Sequence, residues 1–112
     1  MASMAWSPQE IEDLYNNAPC GYDSIDKDGF IVRVNETELH WLQYSREELI
    51  GRRITDFLTA ESQKAFVEHF PSLKSKGSLR DIELDLIRED GTILPVLWSA
   101  TGVMRRYATH SI

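Results

Sequence analysis

Cysteine is nearly absent. The 112 residues include one, Cys20, so no internal disulfide can form and a disulfide-stapled scaffold is excluded. One thiol and three scattered histidines offer no zinc-ligand spacing. Positive charge is also short, with 12 Lys+Arg against 18 Asp+Glu and a net charge of −6. Residues 1–56 hold 5 Lys+Arg and 11 Asp+Glu, so the excess acidity lies wholly in the first half. Without a basic stripe the chain is not expected to take nucleic acid as its main partner, and Arg52-Arg53 and Arg105-Arg106 read as solvated doublets. No hydrophobic run approaches the roughly 20 residues of a membrane span. The N-terminus lacks the charged and apolar regions of a signal peptide. A cytoplasmic location and no membrane contact by this segment are therefore expected. Internal repeats, low-complexity stretches and linkers are missing as well.

What is present is 42% hydrophobic and 27% charged residues, the composition of one soluble globular domain. Residues 1–5 read as a start, cloning scar and disordered lead-in. Residues 6–18 read as a flanking helix: Ser7 as N-cap, Pro8 at the first position, Glu10 closing a capping box, and Trp6 with Ile11 as a staple. Ile11, Leu14, Tyr15 and Ala18 form one apolar stripe that must be buried on the domain's own sheet or on a partner subunit, and Pro19 ends the helix. Two strands follow, Gly21 to Asp26 and Phe30 to Val34, joined through Lys27-Asp28-Gly29. Asn35 caps the next helix with Glu38 as its capping-box partner, and Leu39, Trp41 and Leu42 supply the apolar side. Ser45 and Glu48 box a very short helix that stops before Gly51, and Thr55 to Leu58 reads as one turn.

A longer helix is expected from about Ala60 to Lys76, with Phe66, Phe70 and Leu73 as its stripe, Gly77 as C-cap, and a kink or break at Pro71. Ile82, Leu84 and Leu86 alternate with Asp81, Glu83 and Asp85, a half-buried strand. Asp90-Gly91 marks a second hairpin. Ile93 to Val103 is apolar on both parities, as in a strand covered on both faces. A tight turn near Met104 to Arg106 leads to a last strand at Tyr107 to Ile112. The order implies an α+β domain with an antiparallel sheet and helices on one face.

Four groups of residues carry a family resemblance. They are Asn17-Ala18-Pro19-Cys20-Gly21-Tyr22; Asp28-Gly29 with Val34-Asn35; Leu42 with Tyr44-Ser45-Arg46-Glu47-Glu48-Leu49-Ile50-Gly51; and Arg88-Glu89-Asp90-Gly91 with Pro95-Val96 and Ser99-Ala100-Thr101. In this order and spacing, over roughly residues 8–112, the chain resembles a PAS domain of the kind found ahead of bacterial sensor histidine kinases and cyclases. The resemblance implies a five-stranded antiparallel sheet with short helices on one face. It also implies a sensory or dimerisation module rather than an enzyme, passing a conformational change to an output domain of the same chain. On the same comparison, residues 19–112 form the domain, with its last strand cut short. Gln43 stands where PAS domains often have Gly; a left-handed Gln there costs on the order of 1 kcal/mol.

The resemblance places a ligand or a partner segment between sheet and helices, where Tyr22, Val34, Leu42, Phe57, Phe66, Phe70, Leu84 and Leu97 are the cavity-lining candidates. The alternative is a ligand-free homodimerisation domain, or else a small α+β enzyme. No cofactor is expected. His69 sits on the helix that carries the haem ligand in haem-binding PAS domains, but about a turn late, and reads as a boundary histidine. The flavin-binding relatives carry a helical Gly-x-Asn-Cys-Arg-Phe-Leu-Gln-like segment that is missing here, so Cys20 reads as a small buried residue at a strand entry. Trp41 reads as core, and Asp23 and Asp26 as solvated strand-edge charges. Ser24, Ser45 and Ser99 have no Gly-x-Ser-x-Gly context. A homodimer through the N-terminal helix and the outer sheet face is expected.

Overall fold

The computed structural model describes residues 5–103 and 106–112. Ser7 accepts from the Glu10 amide and Glu10 reaches back to Ser7, which starts α1 (Pro8–Asn16) as the capping box requires. β1 (Gly21–Ile25) and β2 (Ile31–Val34) form a hairpin through Asp26 to Gly29. The Asp26 carboxylate accepts from the amides of Asp28 and Phe30, and Gly29 takes the left-handed conformation that the turn needs. α2 (Glu36–Leu42) and α3 (Arg46–Leu49) follow, then a 3-10 turn over Ile54–Phe57. α4 (Ala60–Lys76) precedes β3 (Ser78–Ile87), β4 (Ile93–Val103) and β5 (Arg106–Ser111).

The five strands form one antiparallel sheet in the order β2-β1-β5-β4-β3, so the last strand lies in the middle between the first hairpin and the second. α2 packs on β1, α3 on β2, and α4 on β3 and β4. The core fills the space between these helices and one face of the sheet. On β1 the inward parity is Gly21, Asp23 and Ile25; on β4 it is Val96, Trp98 and Ala100.

Several expectations are corrected. α4 runs unbroken through Pro71. Pro71 lies on an exposed side of the helix with Val67 one turn before it, where water can take up the carbonyl that proline leaves without a partner. The outward face of β4 is open at Ile93 and Leu97, 45% and 37% exposed, while Ser99 of the same parity is buried. Of the two places expected for the α1 stripe, the chain's own sheet takes only part: Tyr15 and Ala18 are half-buried, while Ile11 and Leu14 are exposed. α1 ends at Asn16, two residues before the expected limit. Glu38 is no capping-box partner: the Asn35 amide is taken by the Tyr22 carbonyl, and the Glu38 side chain turns inward. Gln43 does adopt the left-handed conformation, at φ 68°. The turn expected at Met104 to Arg106 includes residues 104 and 105, which lie outside the described residues.

Candidate functional site

Six of the eight cavity candidates sit on the inner face and join one buried cluster: Val34, Leu42, Phe57, Phe66, Phe70 and Leu84. The other two do not. Tyr22 and Leu97 have the opposite strand parity and lie on the outer face, where Tyr22 meets the rings of Tyr15 and His110. Side chains alternate across a strand, so Tyr22 cannot share a face with its buried neighbours Gly21 and Asp23.

The interior between α4 and the sheet is filled with aromatic rings. Phe66 lies 5.0 Å from Phe70 and 5.1 Å from Trp98, and Phe70 lies 5.3 Å from Tyr107 edge-on. Tyr44 meets Phe57 edge-on at 5.1 Å. These spacings are those of direct ring packing. His69 is half-buried at the edge of α4, beside this stack rather than within it.

A polar cluster lies in the interior where α2 packs on β1, with Thr109 of β5 beside it. Asp23 is 4% and Glu38 3% exposed. Their carboxyl groups hydrogen-bond each other, and the Thr109 hydroxyl donates to Asp23. Burial pushes both carboxyls above their ordinary values; the Asp23 charge pushes Glu38 further, and the hydrogen bonds from Glu38 and Thr109 partly offset the rise at Asp23. Glu38 can come this close because its partner across the contact is Gly21, where an added Cβ would sit 3.1 Å from the Glu38 Cβ.

Asn35, with no exposed surface, ties the cluster to α1. Its Oδ1 accepts from the amides of Tyr22 and Glu38, each at 3.0 Å. Its Nδ2 donates to the carbonyls of Tyr15 at 2.8 Å and Cys20 at 3.1 Å. Thr37 adds hydroxyl donation to the Ala18 carbonyl at 2.6 Å. The Tyr15 hydroxyl donates to the Tyr22 carbonyl, and Arg33 lies over the Tyr15 ring while pairing with Glu12. Burial raises the Tyr15 phenol above its ordinary value, and the Arg33 charge lowers it in part. The Tyr22 phenol is raised by its hydrogen bond to the half-buried Cys20.

Asp23, expected as a solvated strand-edge charge, is buried on the inner face, and sequence reasoning missed the inward Glu38, Thr109 and Trp98. A signal for Asp23 and Glu38 was present. Asp23 shares the parity of Ile25, and Glu38 precedes Leu42 by one helical turn, so both stand on apolar faces. Among the described residues no group of three or more His, Cys, Asp or Glu could hold a metal ion, and no helix is long and apolar enough to cross a membrane.

The comparisons with known proteins agree with this architecture. A sequence model described as PAS domain matches residues 19–109. The chain is 34% identical over 91 residues to the phosphoserine phosphatase RsbP of Bacillus subtilis, covering 80% of this chain and 23% of that protein. The chain thus spans about a quarter of the length of this curated relative. Among solved structures, the PAS domain of an HTR-like protein from Haloarcula marismortui superposes with a TM-score of 0.81 at 23% identity, covering 93% of this chain and 88% of that one. A domain of a sensory box sensor histidine kinase/response regulator from Geobacter sulfurreducens gives 0.77 at 19% identity, covering 92% and 90%.

Proposed function

This chain belongs to the PAS domain family, and on that premise we propose that it is the signal-input and homodimerisation module of a larger bacterial signal-transduction protein. The observation that carries this reading is the unburied apolar face of α1. Trp6, Ile11 and Leu14 are 60%, 54% and 53% exposed on a helix too short to be stable alone. Beside them lies an open groove of about 420 Å³ lined by Trp6, Glu10, Asp13, Leu14, Asn17, Ala18 and Pro19. The outer sheet face adds Ile93, Leu97 and Ile112. An exposed apolar helix face and an exposed apolar sheet face are surfaces that a second copy can cover.

Of the two forms this reading can take, the aromatic filling of the interior favours the ligand-free one. Phe66, Phe70 and Trp98 occupy with their own rings the space where a ligand or partner segment was expected. The buried carboxyl pair does not support an enzyme, because a substrate cannot reach Asp23 or Glu38. The output domain belongs to the same proposal. The curated relative is a phosphoserine phosphatase and one of the structural neighbours comes from a sensor histidine kinase, so a phosphatase joins the kinase and cyclase outputs that the sequence suggested.

Leu14→Glu tests the interface. The side chain is exposed in one chain, so the monomer should keep its fold. The dimer is expected to weaken by at least about tenfold, the effect of losing an apolar contact worth about 1.4 kcal/mol or more. Equal dissociation constants for the two chains by sedimentation equilibrium would remove α1 from the interface. The purified chain is also expected to be colourless. A stoichiometric Soret band that disappears in His69→Ala would establish haem binding instead.

A further inference from the structure

The Asp23–Glu38 pair has a property that ligand-free dimerisation does not use. Two carboxylates are acceptors only, so carboxyl groups can hydrogen-bond each other only when one of them carries a proton. Thr109 adds a hydroxyl donor to Asp23, and one proton shared between the two carboxyls supplies the remaining donor of the pair. Among the described residues no Lys, Arg or His forms an ion pair with either acid. α1 presents the Tyr15 phenol, which is bonded to the Tyr22 carbonyl, and Glu12, which pairs with Arg33 of β2. β1 presents the Tyr22 phenol, bonded to the Cys20 thiol, and β5 presents His110 against the Tyr22 ring on the outer face. On α2 itself, Glu36 pairs outward with Arg46, and His40 is exposed.

We infer that the proton shared by Asp23 and Glu38 is a pH-sensitive latch that holds α2 to β1 and β5 and, through Asn35, holds α1 to the domain. When the proton leaves, two adjacent buried carboxylates repel each other and the first turn of α2 must withdraw. The Glu38 amide and Asn35 Oδ1 are joined, and Asn35 Nδ2 grips the Tyr15 carbonyl, so withdrawal loosens the C-terminal end of α1. The latch does not depend on α1 being a dimer contact.

The sign follows from burial. Both acids are raised in the folded chain, so the folded state retains a proton that the unfolded chain releases near the ordinary carboxylate value of about 4. The stabilisation from this pair is complete at pH below that value. It is lost as pH rises through the folded-state value of the pair.

The test follows infrared absorption and amide exchange of the whole chain across about pH 5 to 9, a range reached by strongly raised carboxyls. Exchange is corrected for the intrinsic rate at each pH. At the acid end the spectrum is expected to show the carbonyl stretch of a protonated buried carboxylic acid. That band should vanish as pH rises, and over the same range the protection of the first turn of α2 and of α1 should fall by at least about tenfold, more than 1.4 kcal/mol of opening free energy. Glu38→Gln keeps an amide donor toward Asp23 and has no proton to lose. It should lack the band and hold α1 equally at every pH. If that variant does not fold, the double variant Asp23→Asn/Glu38→Gln, which leaves neither acid of the pair, serves in its place. The latch is refuted by absence of the band in the unmodified chain, by a band that titrates while α1 protection stays constant, or by variants that keep the unmodified pH response.

Discussion

Truncating Phe66 to alanine is expected to cost about 3–5 kcal/mol, the usual range for removing a buried phenylalanine. Phe66 is 3% exposed and its ring stacks between Phe70 and Trp98, so the neighbours on both sides lose a partner. Gly29 closes the far edge, where an added Cβ would sit 3.9 Å from the Phe66 ring. The surrounding hairpin and helix are held by their own backbone hydrogen bonds and cannot collapse into the space. A small domain holds about 5–15 kcal/mol in all, so this one change removes a large part of it. Val67, next in sequence and 66% exposed, is the control, and its alanine variant should stay within about 0.5 kcal/mol. Urea midpoints compare them. Equal midpoints for Phe66→Ala and the parent chain would contradict the packing of α4 on the sheet.

Asn35→Ala is expected to destabilise by about 3 kcal/mol, well beyond the roughly 1 kcal/mol of a lost helix cap. The excess arises because Asn35 serves three segments besides α2. Its loss strands the half-buried Tyr22 amide and the carbonyls of Tyr15 and Cys20. Aspartate caps helices as well as asparagine, so a simple cap would be rescued by Asn35→Asp. Here it should not be rescued. A carboxylate has no N–H for the Tyr15 and Cys20 carbonyls, and it adds a third acid beside Asp23 and Glu38. Thermal and urea unfolding of the two variants decide this. An Asn35→Asp chain as stable as the parent would reduce Asn35 to a cap.

Much of the fold was legible in the sequence because its signals are local. Ser7 with Glu10 and Ser45 with Glu48 form the capping boxes that their spacing predicts. Gly77 ends α4 in the left-handed conformation, and Ile93–Val103 is a strand over the whole apolar run. The candidate site was less legible because it depends on what lies opposite. Asn35 followed three residues later by Glu38 has the pattern of a capping box, yet Tyr22 takes the Asn35 amide and Gly21 leaves room for Glu38 to turn inward. Tyr22 and Leu97 are large and apolar, but strand parity places them outside. The doubled apolar parity of β4 indicated cover on both faces, and within one chain Ile93 and Leu97 of the outer face stay exposed. That unmet cover is the same feature as the unmet stripe of α1, and a second copy of the chain accounts for both.

The mass of the full chain in solution, by sedimentation equilibrium at high micromolar concentration, bears on this most directly. Association through α1 and the outer sheet face predicts twice the chain mass of 12.9 kDa, falling toward the single value on dilution. A mass of 12.9 kDa that persists at the highest concentration would contradict it.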